Sequence, residues 1–264
     1  MNESVRLPDD AMLSVRGITK AFGSNSVLKG IDMDIAKGSV AALIGGNGAG
    51  KSTLVKIIMG IYQADEGDVY LDGKATKLGK PSASLAAGIY LVPQEPMLFP
   101  NMTVEENVLM GFMQKSSDLH KRLAELLNHL GWKMDLNRKA ATLSIAEQQL
   151  VELLRGLMRD ARLLILDEPT SSLTFNEVES LFTIVEDLKK KGISIIYITH
   201  RLTEVFQIAD QVLIMRDGVI TLDGPVANFT REMLVAGLLP PNAEIHRDQC
   251  ESKPVDYSTC KPAL

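Results

Sequence analysis

Between Leu43 and Thr53 the chain reads LIGGNGAGKST, in which Gly45, Gly46, Asn47, Gly48, Ala49, Gly50, Lys51 and Ser52 fit the spacing G-x-x-x-x-G-K-[ST]. Residue types in this order can hold the phosphates of a nucleotide. Glycines let successive backbone N–H groups turn inward with no Cβ in the way, the lysine reaches the β- and γ-phosphates, and the serine hydroxyl ligates Mg²⁺. A helix beginning at the lysine adds its dipole to the attraction for anions. The apolar run Val40 to Ile44 supplies the strand that must precede such a loop.

A second chemical feature is the run Leu163-Leu164-Ile165-Leu166-Asp167-Glu168, four aliphatic residues ending in two carboxylates. A buried strand delivers its C-terminal end to the ligand crevice of an open α/β sheet. There Asp167 could hold Mg²⁺ through water, and Glu168 could polarise a water in line with the γ-phosphate. Two solvated acids after a core strand would look the same in isolation; the phosphate cradle upstream favours the functional reading.

Apolar β-rich runs alternate with helical patterns along the chain, which predicts an α/β protein with a largely parallel sheet. Core strands are expected at 40–44, 88–92, 162–166 and 193–198. Met12 to Ile18, Val27 to Ile35 and Val69 to Leu71 read as half-buried strands forming an antiparallel edge. From Asn101 to Arg159 the pattern is helical, with Leu119, Leu123, Leu126, Leu127 and Leu130 on one face, Asp118 as N-cap and Gly131 as the stop. A short helical segment should run from Val226 to Leu239, followed by Pro240-Pro241 and a tail without periodicity. With 264 residues, 45% hydrophobic and 23% charged, the chain can bury one sizeable core. No run approaches the ~18 apolar residues of a membrane span, and the polar start MNESVRLPDD is unlike a signal peptide. A net charge of -5 argues against nucleic acid as a partner. Cys250 and Cys260, both in the tail, fit neither a metal cluster nor a disulfide framework.

Asp167-Glu168-Pro169-Thr170 directly after an apolar strand, about 117 residues beyond the phosphate loop, is not how kinases or small GTPases are built. Here the chain resembles the ATP-binding-cassette ATPases, over residues 12–239. The resemblance implies a P-loop NTPase core with an antiparallel β subdomain and a helical insert subdomain at about 95–160, with ATP and Mg²⁺ as ligands. It gives Phe22 the role of stacking on adenine, which a π-face suits, and extends the phosphate cradle through Thr53. Gln94 matches the glutamine that contacts Mg²⁺ and the attacking water and begins the segment facing a membrane partner. His200 matches the histidine that hydrogen-bonds the γ-phosphate and Glu168. Catalysis would then rest on Glu168, His200 and Gln94, and Mg²⁺ on Ser52, Gln94 and Asp167.

The chain departs from the family at the signature. Leu-Ser-Gly-Gly-Gln becomes Leu143-Ser144-Ile145-Ala146-Glu147. In the family this segment grips the γ-phosphate bound by an opposing domain, and two Cβ atoms limit close backbone approach. Glu147 also places a negative charge where the helix dipole would otherwise serve the phosphate. Two readings stay open: a degenerate half-site retaining Ser144, or a plain capping box Ser144-x-x-Glu147 for the helix that follows. Thr174, in Ser171-Ser172-Leu173-Thr174, replaces the family's aspartate. These departures resemble the first half of tandem ATPases of sugar-type bacterial importers, and residues 93–108 narrow the likeness to a member that imports a sugar-like signal.

The reading that follows is one ATPase domain at 1–239 and a linker at 240–264 toward a missing second ATPase domain. The expected function is ATP hydrolysis energising an importer at the cytoplasmic face of the inner membrane, weak when the chain is alone. Integral membrane permease subunits, a second ATPase domain or a homodimer, and indirectly a periplasmic binding protein are the implied partners. The alternative is a regulatory or catalytically weak cassette. Met97, Leu98, Phe99, Met102, Met110, Phe112 and Met113 form an apolar, Met-rich stretch that either meets the membrane subunits or packs the insert's own core.

Overall fold

Ile31, Met33 and Ile35 are buried while Asp32 between them is exposed, the period of two that makes a strand with one face on a core. This strand, β2 (Asn25–Ala36), pairs antiparallel with β1 (Ala11–Phe22). β3 (Val40–Ile44) is buried at every residue and leads through the glycine-rich loop into α1 (Lys51–Ile58). β4 (Glu66–Leu71) returns to pair with β1, and β5 (Lys74–Ala75) closes an antiparallel sheet of order β2-β1-β4-β5. These elements belong to a computed structural model that describes residues 7–239. The expectations for the start of the chain, for the tail 240–264 and for Cys250 and Cys260 lie outside the described residues.

α2 (Pro81–Ala86) precedes β6 (Ile89–Val92), and three helices follow: α3 (Val104–Leu109), α4 (Ser116–Leu130) and α5 (Ile145–Leu157). The chain then alternates through β7 (Leu163–Asp167), α6 (Phe175–Lys190), β8 (Ser194–Ile198), α7 (Leu202–Ile208), β9 (Gln211–Arg216), β10 (Val219–Pro225) and α8 (Arg231–Leu238). The second sheet has the order β10-β9-β3-β8-β7-β6, parallel except for β10. Helices and the first sheet cover its two faces, so its inner strands read as continuous aliphatic runs. β9 and β10 were not among the expected core strands. Their partners are β3 and each other, and that pairing is invisible in a short window of sequence.

The register fixes the site. Leu43 is level with Ile198, Ile198 with Asp167, and Leu166 with Val92. The C-terminal ends of β3, β8, β7 and β6 therefore emerge side by side at one edge of the sheet. Leu119, Leu123 and Leu127 of α4 pack with Val104, Val108, Val151 and Leu154 into a separate core among the three helices. Gly131 ends α4 in the left-handed conformation. The start of α4 differs from expectation: Lys115 holds the cap position and Asp118 lies within the first turn, where a carboxylate still meets the positive helix end.

Candidate nucleotide-binding site

The loop after β3 owes its path to glycine. Gly50 has φ of 103°, and a Cβ there would lie 2.8 Å from both Leu28 Cδ2 and Met215 Cε. At Gly45 a Cβ would lie 2.3 Å from the Met215 carbonyl oxygen. The backbone thus passes through space that a side chain would fill, and α1 opens at Gly50 with no side-chain cap. Its first N–H groups face the loop unsatisfied by any capping side chain, as an anion site requires.

A cavity of about 450 Å³ lies over this loop, lined by Gly46 through Thr53 and by Gln94, Asp167 and Glu168. Asn47, Gly48, Ala49, Lys51 and Ser52 are thus brought together with residues at the C-terminal ends of β6 and β7; Gly45 lies beneath, accepting a 2.7 Å hydrogen bond from Lys51 Nζ. Lys51 also donates to the Gly46 carbonyl at 3.2 Å. Burial pushes the Lys51 pKa down, opposed by Glu168 and Asp167. Burial pushes Asp167 up, and the neighbouring Glu168 adds to the effect.

Glu168 follows β7 with φ of 46°, rare for a residue with a Cβ, and its N–H donates to the Ile198 carbonyl at 3.0 Å. His200, two residues past β8, brings Nδ1 to 3.2 Å from Glu168 Oε2 while its ring is largely exposed. Gln94 sits two residues past β6, its carbonyl accepting from Gln149 Nε2 of α5 at 3.1 Å. Among the described residues no cluster of three His, Cys, Asp or Glu side chains could hold a metal. The donors at hand, Ser52, Gln94 and Asp167, are all oxygen, which suits an Mg²⁺ completed by phosphate and water.

Four expected residues stand outside the cavity lining: Gly45 beneath the loop, His200 beside Glu168, and Phe22 and Ser144 farther off. Phe22 is half-exposed at the end of β1, edge-on to Tyr62 with ring centroids 5.3 Å apart. Ser144 caps α5: its hydroxyl accepts from the Glu147 N–H at 3.2 Å and its own N–H donates to Glu147 Oε2 at 2.8 Å. Arg138 pairs with Glu147 at 2.5 Å. Thr174 holds the cap position of α6, its N–H and its hydroxyl both donating to Glu177 Oε2, at 2.9 and 2.8 Å. Of the Met-rich stretch, Met97, Phe99 and Met113 are exposed, whereas Leu98 and Phe112 pack on the helical core. Sequence reasoning missed Asn25 and Val27, which line the cavity from the start of β2. Only the stacking of β2 beside the phosphate loop brings them there.

The family described as ABC transporter matches residues 28–171, the stretch that carries both the phosphate loop and the β7 carboxylates. The chain belongs to this family. The cassette is 47% identical over 233 residues to the autoinducer 2 import ATP-binding protein of Enterobacter sp. (strain 638), covering 88% of this chain and 47% of that protein. It is 39% identical over 233 residues to a ribose import ATP-binding protein of Caldanaerobacter subterraneus subsp. tengcongensis, covering 86% and 47%. The cassette thus spans about half the length of the curated relatives it matches. Its fold matches a nucleotide-free ATP-binding cassette from an ABC transporter with a TM-score of 0.77 and 30% identity, covering 88% of this chain and 96% of the other. An ATP-binding cassette of an ABC transporter in its ADP conformation gives 0.77 and 31%, with the same coverage. The antiparallel sheet, the parallel core and the helices are therefore those of the ATP-binding cassettes, as the resemblance implied.

Proposed function

We propose that the chain binds and hydrolyses ATP to energise a bacterial importer of autoinducer 2 or a related sugar-like molecule. The observation that carries this is the convergence of Gln94, Asp167 and Glu168 on one cavity over the phosphate loop, with His200 3.2 Å from Glu168. The likeness to import proteins named for autoinducer 2 and for ribose supports the class of cargo.

In this reading the loop N–H groups and Lys51 hold the phosphates, Phe22 stacks on adenine, and Ser52, Gln94 and Asp167 hold Mg²⁺. The metal, when bound, neutralises charge on the phosphates. Glu168 orients the attacking water, and His200 bridges Glu168 and the γ-phosphate. Membrane permease subunits would dock beside the Gln94 segment and the helical layer, at the cytoplasmic face of the inner membrane, with a periplasmic binding protein acting indirectly. A second ATPase domain, or a second copy of the chain, would supply the opposing signature. No helix among the described residues is long and apolar enough to cross a membrane, which fits a peripheral subunit.

The capped Ser144 favours weak turnover by the chain alone, because the hydroxyl and the helix end that would meet a γ-phosphate are already paired within α5. The same observation supports the second reading, a regulatory cassette. Mg²⁺-dependent hydrolysis measured across protein concentration, with Glu168→Gln as control, separates them. A rate per chain that rises with concentration and vanishes in the variant supports a homodimeric engine. Saturable ATP binding without turnover, cured by adding a second cassette, supports half of a pair. Turnover unaffected by Glu168→Gln would overturn the assignment.

A further inference from the structure

Glu204 lies on α7, four residues after His200, and is 4% exposed. A carboxylate so buried must be met by donors, and four surround it. Its Oε1 accepts from the Thr170 hydroxyl at 2.7 Å, with Arg201 Nη1 at 3.5 Å. Its Oε2 accepts from the Thr199 hydroxyl at 2.8 Å and the Tyr197 hydroxyl at 3.1 Å. The Thr199 hydroxyl in turn accepts from the Arg201 N–H at 3.0 Å. Thr170, Thr199 and Tyr197 are themselves buried. These partners are not scattered. Thr170 is two residues past Glu168, and Thr199 and Arg201 flank His200 on either side.

We propose that Glu204 is a positioning residue whose buried carboxylate ties the segment after Glu168 to the residues on both sides of His200, and so holds the imidazole against the Glu168 carboxylate. The proposal deepens the reading of His200 and Glu168 as a pair acting at the γ-phosphate. His200 needs such a tether: its ring is 61% exposed, and among the described residues Glu168 is the one partner holding it at the site. With the backbone fixed at Thr199 and Arg201, the ring has little left to search. Without the carboxylate, three buried hydroxyls lose their common acceptor and the turn between β8 and α7 is freed to rotate the ring away.

The test is an imidazole ¹⁵N spectrum of the whole chain in alkaline buffer, where an ordinary imidazole is neutral. Held on Glu168, His200 keeps its proton on Nδ1 and shows two widely separated ¹⁵N shifts. In Glu204→Ala that separation is expected to collapse toward a tautomer average, with the other histidines unchanged, and Glu204→Gln, which keeps one acceptor oxygen, is expected to recover it. A folded Glu204→Ala with the wild-type His200 pattern overturns the proposal. Should Glu204→Ala fail to unfold cooperatively, Thr170→Val and Thr199→Val each remove one bond to the carboxylate, and an unchanged His200 pattern in both overturns it equally. A residue that only stabilised the fold would lower Tm without releasing the tautomer. Because the readout is a spectrum and not a rate, its outcome is separate from whether the chain hydrolyses ATP.

Discussion

Glu147→Gln isolates the consequence of placing a charged residue at the head of α5. The wild-type carboxylate accepts from the Ser144 N–H at 2.8 Å and from Arg138 at 2.5 and 3.3 Å, with the two charged side chains 38% and 37% exposed. Glutamine retains an oxygen for the Ser144 N–H, and the backbone N–H of residue 147 still meets the Ser144 hydroxyl, so the capping box survives and the charge is what disappears. A solvent-screened ion pair of this kind contributes about 0.2–1 kcal/mol, and a carboxylate in the first turn of a helix about 0.3–1 kcal/mol. Their combined loss, roughly 1 kcal/mol, should lower Tm by about 2–4 °C in a chain of this size. The Arg138 guanidinium, with the Ser144 N–H, holds the Glu147 pKa below its usual 4.5. A depressed carboxylate stabilises above its unfolded value and loses that contribution as pH falls through its folded value. The Tm gap should therefore be full at neutral pH, shrink as pH falls below the usual carboxylate range, and vanish once both states are protonated. Calorimetry on both proteins across that range decides the matter. Equal Tm at neutral pH, or a gap that persists in acid, would refute the reasoning. In a Glu168→Gln background, which removes the carboxylate proposed to orient the attacking water, the same substitution should tighten ATP-driven self-association in sedimentation velocity.

Lys51→Ala removes the charged donor from the phosphate loop, worth about 1.5–3 kcal/mol, so ATP affinity measured by calorimetric titration should fall about 10- to 150-fold. Gly50→Ala forces a Cβ to 2.8 Å from Leu28 and Met215 at φ of 103°; strain and overpacking of about 2–5 kcal/mol should appear as a lower urea midpoint, and an unchanged midpoint would contradict the geometry. Asp167→Asn removes a carboxylate whose pKa burial and Glu168 raise. Because its folded value lies above the unfolded one, ionisation costs stability at neutral pH, so the variant should melt higher than wild type there, with the gap closing as pH falls through the raised value. The same variant should lose the Mg²⁺ dependence of nucleotide binding.

What the sequence alone determined is what contiguous residues settle among themselves. The cradle from Gly45 to Ser52 is one strand, one turn and one helix start, so its spacing suffices. The four aliphatics before Asp167 and the stop at Gly131 are equally local, whereas Ser144-x-x-Glu147 stays open in sequence between a half-site and a cap, and only the folded chain shows the cap formed. Even so, Asp118 misplaced the start of α4, because a carboxylate serves a helix dipole nearly as well in the first turn as at the cap. The tertiary structure decided everything that depends on which strands lie side by side. The order β3-β8-β7-β6 sets His200 beside Glu168 and carries Gln94 to the phosphate loop, and no periodicity encodes that order. Asn25 and Val27 join the cavity only because the hairpin stacks beside the loop, and β9 and β10 exist as sheet only by pairing with β3 and each other. Glu204 reads in sequence as one more acid on a short helix. Its importance comes from burial among hydroxyls delivered by two neighbouring strand ends, a contact made by hydrogen-bonded register and not by spacing along the chain.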